Sequence, residues 1–120
     1  AFDGSRDGWI VGYAQGNSLA GERWNGLRWQ STTMPNVGKD PGLYAVSAAS
    51  PTDAWAVGST YGPAVATTLT LHWDGTTWTQ VASPDSGYLQ GVAEVAPTDV
   101  WAVGSMGIEH WDGTSWTHVD

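Results

Sequence analysis

Nine tryptophans fall into three groups of three along this chain: Trp9, Trp24, Trp29; Trp55, Trp73, Trp78; Trp101, Trp111, Trp116. Their neighbours repeat with them. Asp7-Gly8-Trp9-Ile10-Val11-Gly12 matches Asp53-Ala54-Trp55-Ala56-Val57-Gly58 and Asp99-Val100-Trp101-Ala102-Val103-Gly104. Arg23-Trp24-Asn25-Gly26 matches His72-Trp73-Asp74-Gly75 and His110-Trp111-Asp112-Gly113, each followed three residues later by another Trp. The 120 residues therefore divide into three units averaging 40. A period of this size belongs to propeller blades or helical arrays. Gly and Pro punctuate the chain about every ten residues, with β-branched and aromatic residues between them, which excludes the helical arrays.

Each unit reads as four strands. In the middle one, Tyr44 to Ala49 is a strand of small residues, and Ser50-Pro51-Thr52-Asp53 is a turn. Ala54 to Gly58 is a second strand, with Trp55 and Val57 on one face and Ala54 and Ala56 on the other. A variable loop follows, from Ser59 to Thr67. Thr68 to Trp73 is the third strand, Asp74-Gly75 a tight hairpin of the primed-turn kind, and Thr76 to Val81 the fourth. Four short antiparallel strands, repeated, with Trp on both faces, predict an all-β propeller of three blades at about 1–42, 43–87 and 88–120. A blade cannot bury two faces alone, so the equivalent residues Trp55 and Trp101 are expected to be buried between blades.

The Trp-Asp-Gly hairpin lies where WD-repeat blades place their Trp-Asp and where sialidase-type propellers place the Asp-box. The pattern Ser-Pro-Thr-Asp-x-Trp-Ala-Val-Gly … His-Trp-Asp-Gly-Thr-x-Trp-Thr resembles propeller repeats of secreted bacterial proteins, loosely the kelch and Asp-box groups, over nearly the whole chain. The chain lacks the Gly-Gly pair of kelch repeats, and Asp74 to Trp78 is one residue shorter than an Asp-box. The resemblance implies a fold and a secreted, extracellular location. It transfers no catalytic residue.

Composition narrows the function. The chain holds 12 acidic and 4 basic residues, for a net charge of −8. Four Lys and Arg cannot lay a basic stripe along phosphates, which argues against nucleic acid and anionic membrane surfaces as partners. No apolar run approaches the roughly 20 residues of a membrane helix. The absence of cysteine removes disulfides, thiolate nucleophiles and Cys-based zinc sites. The chain begins at Ala1 with neither an initiating Met nor a signal segment, which suggests that it is processed, excised or incompletely read.

No motif for catalysis is present: there is no Gly-x-Ser-x-Gly elbow, His-Glu-x-x-His helix or phosphate loop. Sialidase chemistry would need an arginine cluster. The chain therefore reads as no enzyme, with no cofactor and no metal. Asp7, Asp53 and Asp99 recur in every unit, which favours turn capping over a ring of metal or sugar ligands. Asn25, Asp74 and Asp112 precede Gly and are turn residues. Asp3 to Gly8 matches half a calcium loop, but Ala14 falls where the acidic ligand at position twelve belongs. His72 and His110 occupy equivalent places, with Arg23 in the first unit, and suggest a structural or interblade hydrogen bond.

Most of the tryptophans should be core. Some could stack on sugar rings, with Asp, Asn and His binding hydroxyls. The leading expectation is a non-catalytic, self-assembling propeller segment with lectin-like carbohydrate sites between blades. The candidate ligand residues are Tyr13, Tyr61, His72, Trp73, His110 and Trp111, with Tyr88 in reserve, and contacts are expected in Ser59–Thr67 or Gln15–Glu22. The alternative is a structural or interaction scaffold, or an engineered repeat fragment without a ligand. Three blades leave two open faces, so the chain should pair with itself. A homodimer would give six blades and a homotrimer nine, against a usual range of about 4–8. Residues 1–39 hold all four basic residues and three acids; residues 40–120 hold nine acids and no Lys or Arg. The first blade should thus meet the third blade of the next copy, head to tail.

Overall fold

The computed structural model describes residues 2–4, 7–14, 18–24, 27–32, 34–35, 39–50, 52–61, 66–84, 87, 89–105 and 107–119. They form three antiparallel four-stranded sheets. The first holds β1 (Phe2–Gly4), β2 (Asp7–Ala14), β3 (Ser18–Trp24) and β4 (Trp29–Ser31). The second holds β5 (Lys39–Ser50), β6 (Asp53–Tyr61), β7 (Ala66–Trp73) and β8 (Trp78–Val81). The third holds β9 (Leu89–Ala96), β10 (Asp99–Gly104), β11 (Gly107–Trp111) and β12 (Trp116–Val119). Strand order follows chain order in each sheet. These are propeller blades: β5 packs against β2 of the preceding blade, and β9 against both β5 and β6.

The period-2 alternation of β6 decides how the blades join. Ala54 and Ala56 point to one side and Trp55 and Val57 to the other. The first pair enters a core with Trp9, Leu43, Leu69, Leu71, Trp73 and Trp78, between blades one and two. The second pair enters a separate core with Leu89, Val100, Ala102 and Trp116, between blades two and three. The small residues let one sheet approach closely while the large ones on the opposite face fill the next junction.

At each junction one indole inserts against a pair of indoles from the following blade. Trp9 meets Trp73 and Trp78 nearly edge-on, at 4.9 and 5.0 Å between centroids. Trp55 meets Trp111 and Trp116 at 4.9 and 5.1 Å. Tilted and edge-to-face contacts suit the quadrupoles of the rings. Trp55 is 1% exposed, as expected. Trp101 departs from expectation: it is 40% exposed, on the face of the third blade opposite the one that packs on the second.

Parts of the two expected loops are strand. In the Ser59–Thr67 stretch Ser59 pairs with Thr68, Thr60 with Thr67 and Tyr61 with Ala66, and residues 62–65 lie outside the described residues. Likewise β3 begins at Ser18, inside the Gln15–Glu22 stretch. The Asp74-Gly75 hairpin is a four-residue loop, because the last cross-strand pair is Trp73 with Trp78. Asp74 Oδ1 accepts from the amides of Thr76 and Thr77, both at 2.9 Å, and Asp112 does the same with Thr114 and Ser115. Gly75 and Gly113 take φ of +103° and +99°, which favours glycine there.

Candidate functional site

The site grows out of strand register. Trp55 lies directly opposite His72 in the β6–β7 ladder. Asp53, two residues before Trp55, shares its face and sits diagonally across from His72. The His72 Nε2–H donates to Asp53 Oδ1 at 2.6 Å, and the imidazole packs on the Trp55 indole at 4.7 Å. The third blade repeats the arrangement, with His110 on Asp99 at 2.8 Å and on Trp101 at 4.2 Å. Trp101 Nε1 also donates to Asp99 at 3.0 Å. Asp53 and Asp99 therefore each bind the third strand of their own blade. In the second blade the turn bond comes instead from Ser50 Oγ, which accepts from the Thr52 amide at 3.3 Å.

The two junctions differ in what fills them. At the first, the Arg23 guanidinium lies 5.9 Å from the centroids of both Trp9 and Trp73. Its place at the second junction belongs to the shorter His72. There a cavity of about 310 Å3 opens, lined by Asp53, Trp55, His72, Val81, Pro97, Trp111 and Gly113. Behind Asp53 lies Glu94, from the inner strand of the third blade, with both carboxyl oxygens buried. Burial, and then the neighbouring Asp53 carboxylate, push the Glu94 carboxyl up to about 9. Glu94 is thus protonated at neutral pH and able to donate a hydrogen bond.

The predicted ligand residues are only partly gathered here. His72 and Trp111 line the cavity. Trp73 is buried in the first junction. His110 stands on the far face of the third blade, paired with Asp99. Tyr13 and Tyr61 lie near the outer ends of β2 and β6; Tyr61 is about 20 Å along the strand from Trp55, at about 3.3 Å per residue. Their side chains, and all of Tyr88, lie outside the described residues. Asp53, Val81, Pro97 and the supporting Glu94 were missed. Asp53 could have been found by noting that a polar ring lies opposite the second-strand Trp in the second and third units. Among the described residues no group of three His, Asp or Glu is arranged to hold a metal.

No family model matches this chain, and no curated protein sequence is similar to it. A solved structure is: the β-propeller YCF48, in a structure described as YCF48 bound to D1 peptide, with TM-score 0.68 and 21% identity over 98% of this chain. This chain has a β-propeller fold. It spans 38% of the length of that neighbour.

Proposed function

We propose that this chain is a non-catalytic propeller scaffold whose second interblade junction takes a small polyhydroxyl ligand of the carbohydrate class. The observation behind this reading is the cavity between blades two and three. Its volume is at the small end of the about 300–1,000 Å3 common for small-molecule sites. Trp111 offers an aromatic surface for a sugar's C–H face, and the Asp53 carboxylate and the His72 ring offer polar groups for hydroxyls. The proposal includes an extracellular location, where such sugars are displayed.

A second reading, a scaffold without a sugar ligand, is favoured by the recurrence of the Asp–His pair at Asp99 and His110, away from the cavity. In this reading the pair pins the second strand to the third and nothing more. The propeller neighbour has a bound peptide, so a peptide is the other ligand class to test. Titration of tryptophan fluorescence with a panel of neutral, amino and acidic monosaccharides separates the readings. Saturable quenching that is lost in Asp53→Asn supports the sugar site. No saturable response to any sugar, or one unchanged by Asp53→Asn, rejects it in favour of the scaffold.

A further inference from the structure

We infer that the second junction binds a small organic cation, a guanidinium or alkylammonium group, in the place that the Arg23 guanidinium fills in the first. The inference rests on the reading of the cavity between blades two and three as a ligand site, and names the charge its ligand carries. The two junctions are built from the same parts. Arg23 lies opposite Trp9 in the β2–β3 ladder, as His72 lies opposite Trp55 in the β6–β7 ladder. Trp9 meets Trp73 at 4.9 Å between centroids, and Trp55 meets Trp111 at the same 4.9 Å. The guanidinium stands 5.9 Å from both indoles of the first pair. That is within the distance of about 6 Å at which a cation is drawn to the face of an aromatic ring.

The second junction keeps the aromatic pair and has no arginine to fill it. Trp55, His72 and Trp111 are the counterparts of Trp9, Arg23 and Trp73, and all three line the cavity of about 310 Å3. The separation of the indoles is unchanged, so the room comes from the shorter side chain and not from blades set further apart. The His72 ring is also held on Asp53, at 2.6 Å from Nε2 to Oδ1. The volume admits a cationic head group together with the ring or chain that carries it. An amino sugar and an alkylguanidine are therefore both suitable sources of the charge.

Charge points the same way. The cavity lining includes the Asp53 carboxylate and no Lys or Arg. Residues 40–120 contain no Lys or Arg at all, and Lys39 pairs with Tyr61, at the end of β6 opposite Asp53. The two blades thus offer the junction no cation of their own. An anionic ligand would meet the Asp53 carboxylate and the field of a chain with net charge −8. A guanidinium is weakly hydrated and gives up water for ring faces at low cost. A metal ion is a poorer fit, because among the described residues no group of three His, Asp or Glu is arranged to hold one.

Calorimetric titration of the whole chain at pH 7 tests this, with methylguanidinium, glucosamine and glucose as probes at matched ionic strength. Methylguanidinium should bind saturably at one site per chain, with a dissociation constant on the order of millimolar. Glucosamine should bind about tenfold more tightly than glucose, through its ammonium group. His72→Arg sets a guanidinium at the ladder position of Arg23 and should abolish the methylguanidinium response, with circular dichroism as the folding control. Asp53→Asn should weaken that response about tenfold, and serves where His72→Arg does not fold. No saturable response to methylguanidinium or glucosamine overturns the inference. Glucose bound as tightly as glucosamine also overturns it, while leaving the sugar reading of the cavity intact. Methylguanidinium bound with neither sugar upholds the inference and rejects the sugar reading. A response unchanged in the folded variants overturns the inference by moving the site elsewhere.

Discussion

Glu94 of the third blade's inner strand lies against Asp53 at the start of the second blade's β6, and burial together with that neighbouring carboxylate raises its carboxyl to about 9. The same residue ties the inner strands of the two blades, its amide donating to Ser47 Oγ at 3.0 Å. Asp53 therefore meets groups from two directions, the His72 ring in its own blade and Glu94 in the next.

This relationship gives stability a definite pH dependence. In the unfolded chain Glu94 titrates near 4.5. Below that value both states hold the proton and its contribution is complete. As pH rises toward about 9 the folded state keeps a proton that the unfolded state has lost, so stability falls across this window. Glu94→Gln stays neutral throughout. Its urea midpoint should decline less than the wild type's between pH 5 and pH 9. Parallel profiles for the two proteins would show that Glu94 is ionised in the fold.

The tryptophan junctions predict unequal costs for chemically identical changes. Trp9→Ala and Trp55→Ala each empty a packed junction and should cost about 3–5 kcal/mol. Trp101→Ala removes a ring 40% exposed in the single chain, and should cost about 1 kcal/mol or less. Urea unfolding at nanomolar protein, followed by fluorescence, keeps association out of the comparison. Equal losses at all three positions would contradict the open third face.

The blades were legible because the repeat is physical. Each unit needs the same insertion of one Trp between two, so the same residues recur at the same strand positions. The alternation of Ala54 and Ala56 with Trp55 and Val57 was read as two opposite faces, and the structure gives each face its own core. The cavity was not legible, because it is made by departures from the repeat. Glu94 stands where the second blade has Ala48, and His72 where the first has Arg23. Reading the units as copies averages those differences away. The aspartates were misread for another reason. Asp53 closes a turn in sequence, and only the pairing of Trp55 with His72 brings it to the third strand.

The hairpin aspartates should make the fold sensitive to acid. Amides of Ser115 and Thr114 hold the Asp112 carboxyl below its ordinary 3.8, and those of Thr77 and Thr76 do the same for Asp74. Such a contribution is complete above 3.8 and is lost as pH falls through the lowered folded value. Asn keeps an oxygen acceptor without titrating, and Asn25 already fills this place in the first blade. Asp112→Asn should therefore flatten the fall in urea midpoint below pH 4 while changing it little at pH 7. Asp112→Ala, which removes the acceptor, should lower the midpoint at pH 7. Unfolding curves at pH 7 and pH 3 separate the two variants.

Gly12 and Gly58 occupy the same place in the repeat, after Trp-x-Val, yet they should respond in opposite ways to alanine. Gly58 faces Leu43 across the β5–β6 ladder, where the register shifts. A methyl group there would overlap the Gly42 carbonyl oxygen and lie 2.9 Å from Leu43 Cα. Both are backbone atoms and cannot rotate away, so Gly58→Ala should cost about 2 kcal/mol or more. Gly12 lies on β2, opposite Ala20 of β3. The short first strand β1 pairs only with Gly8 and Asp7, and no atom of the described residues lies within 4 Å of a methyl at Gly12. Gly12 also lacks the left-handed φ that would exclude a side chain. Gly12→Ala should be neutral or gain about 0.5 kcal/mol, by reducing the freedom of the unfolded chain. Urea midpoints of the two single variants decide the matter. A loss at Gly12 comparable to that at Gly58 would mean that another backbone segment runs beside β2, as β5 runs beside β6.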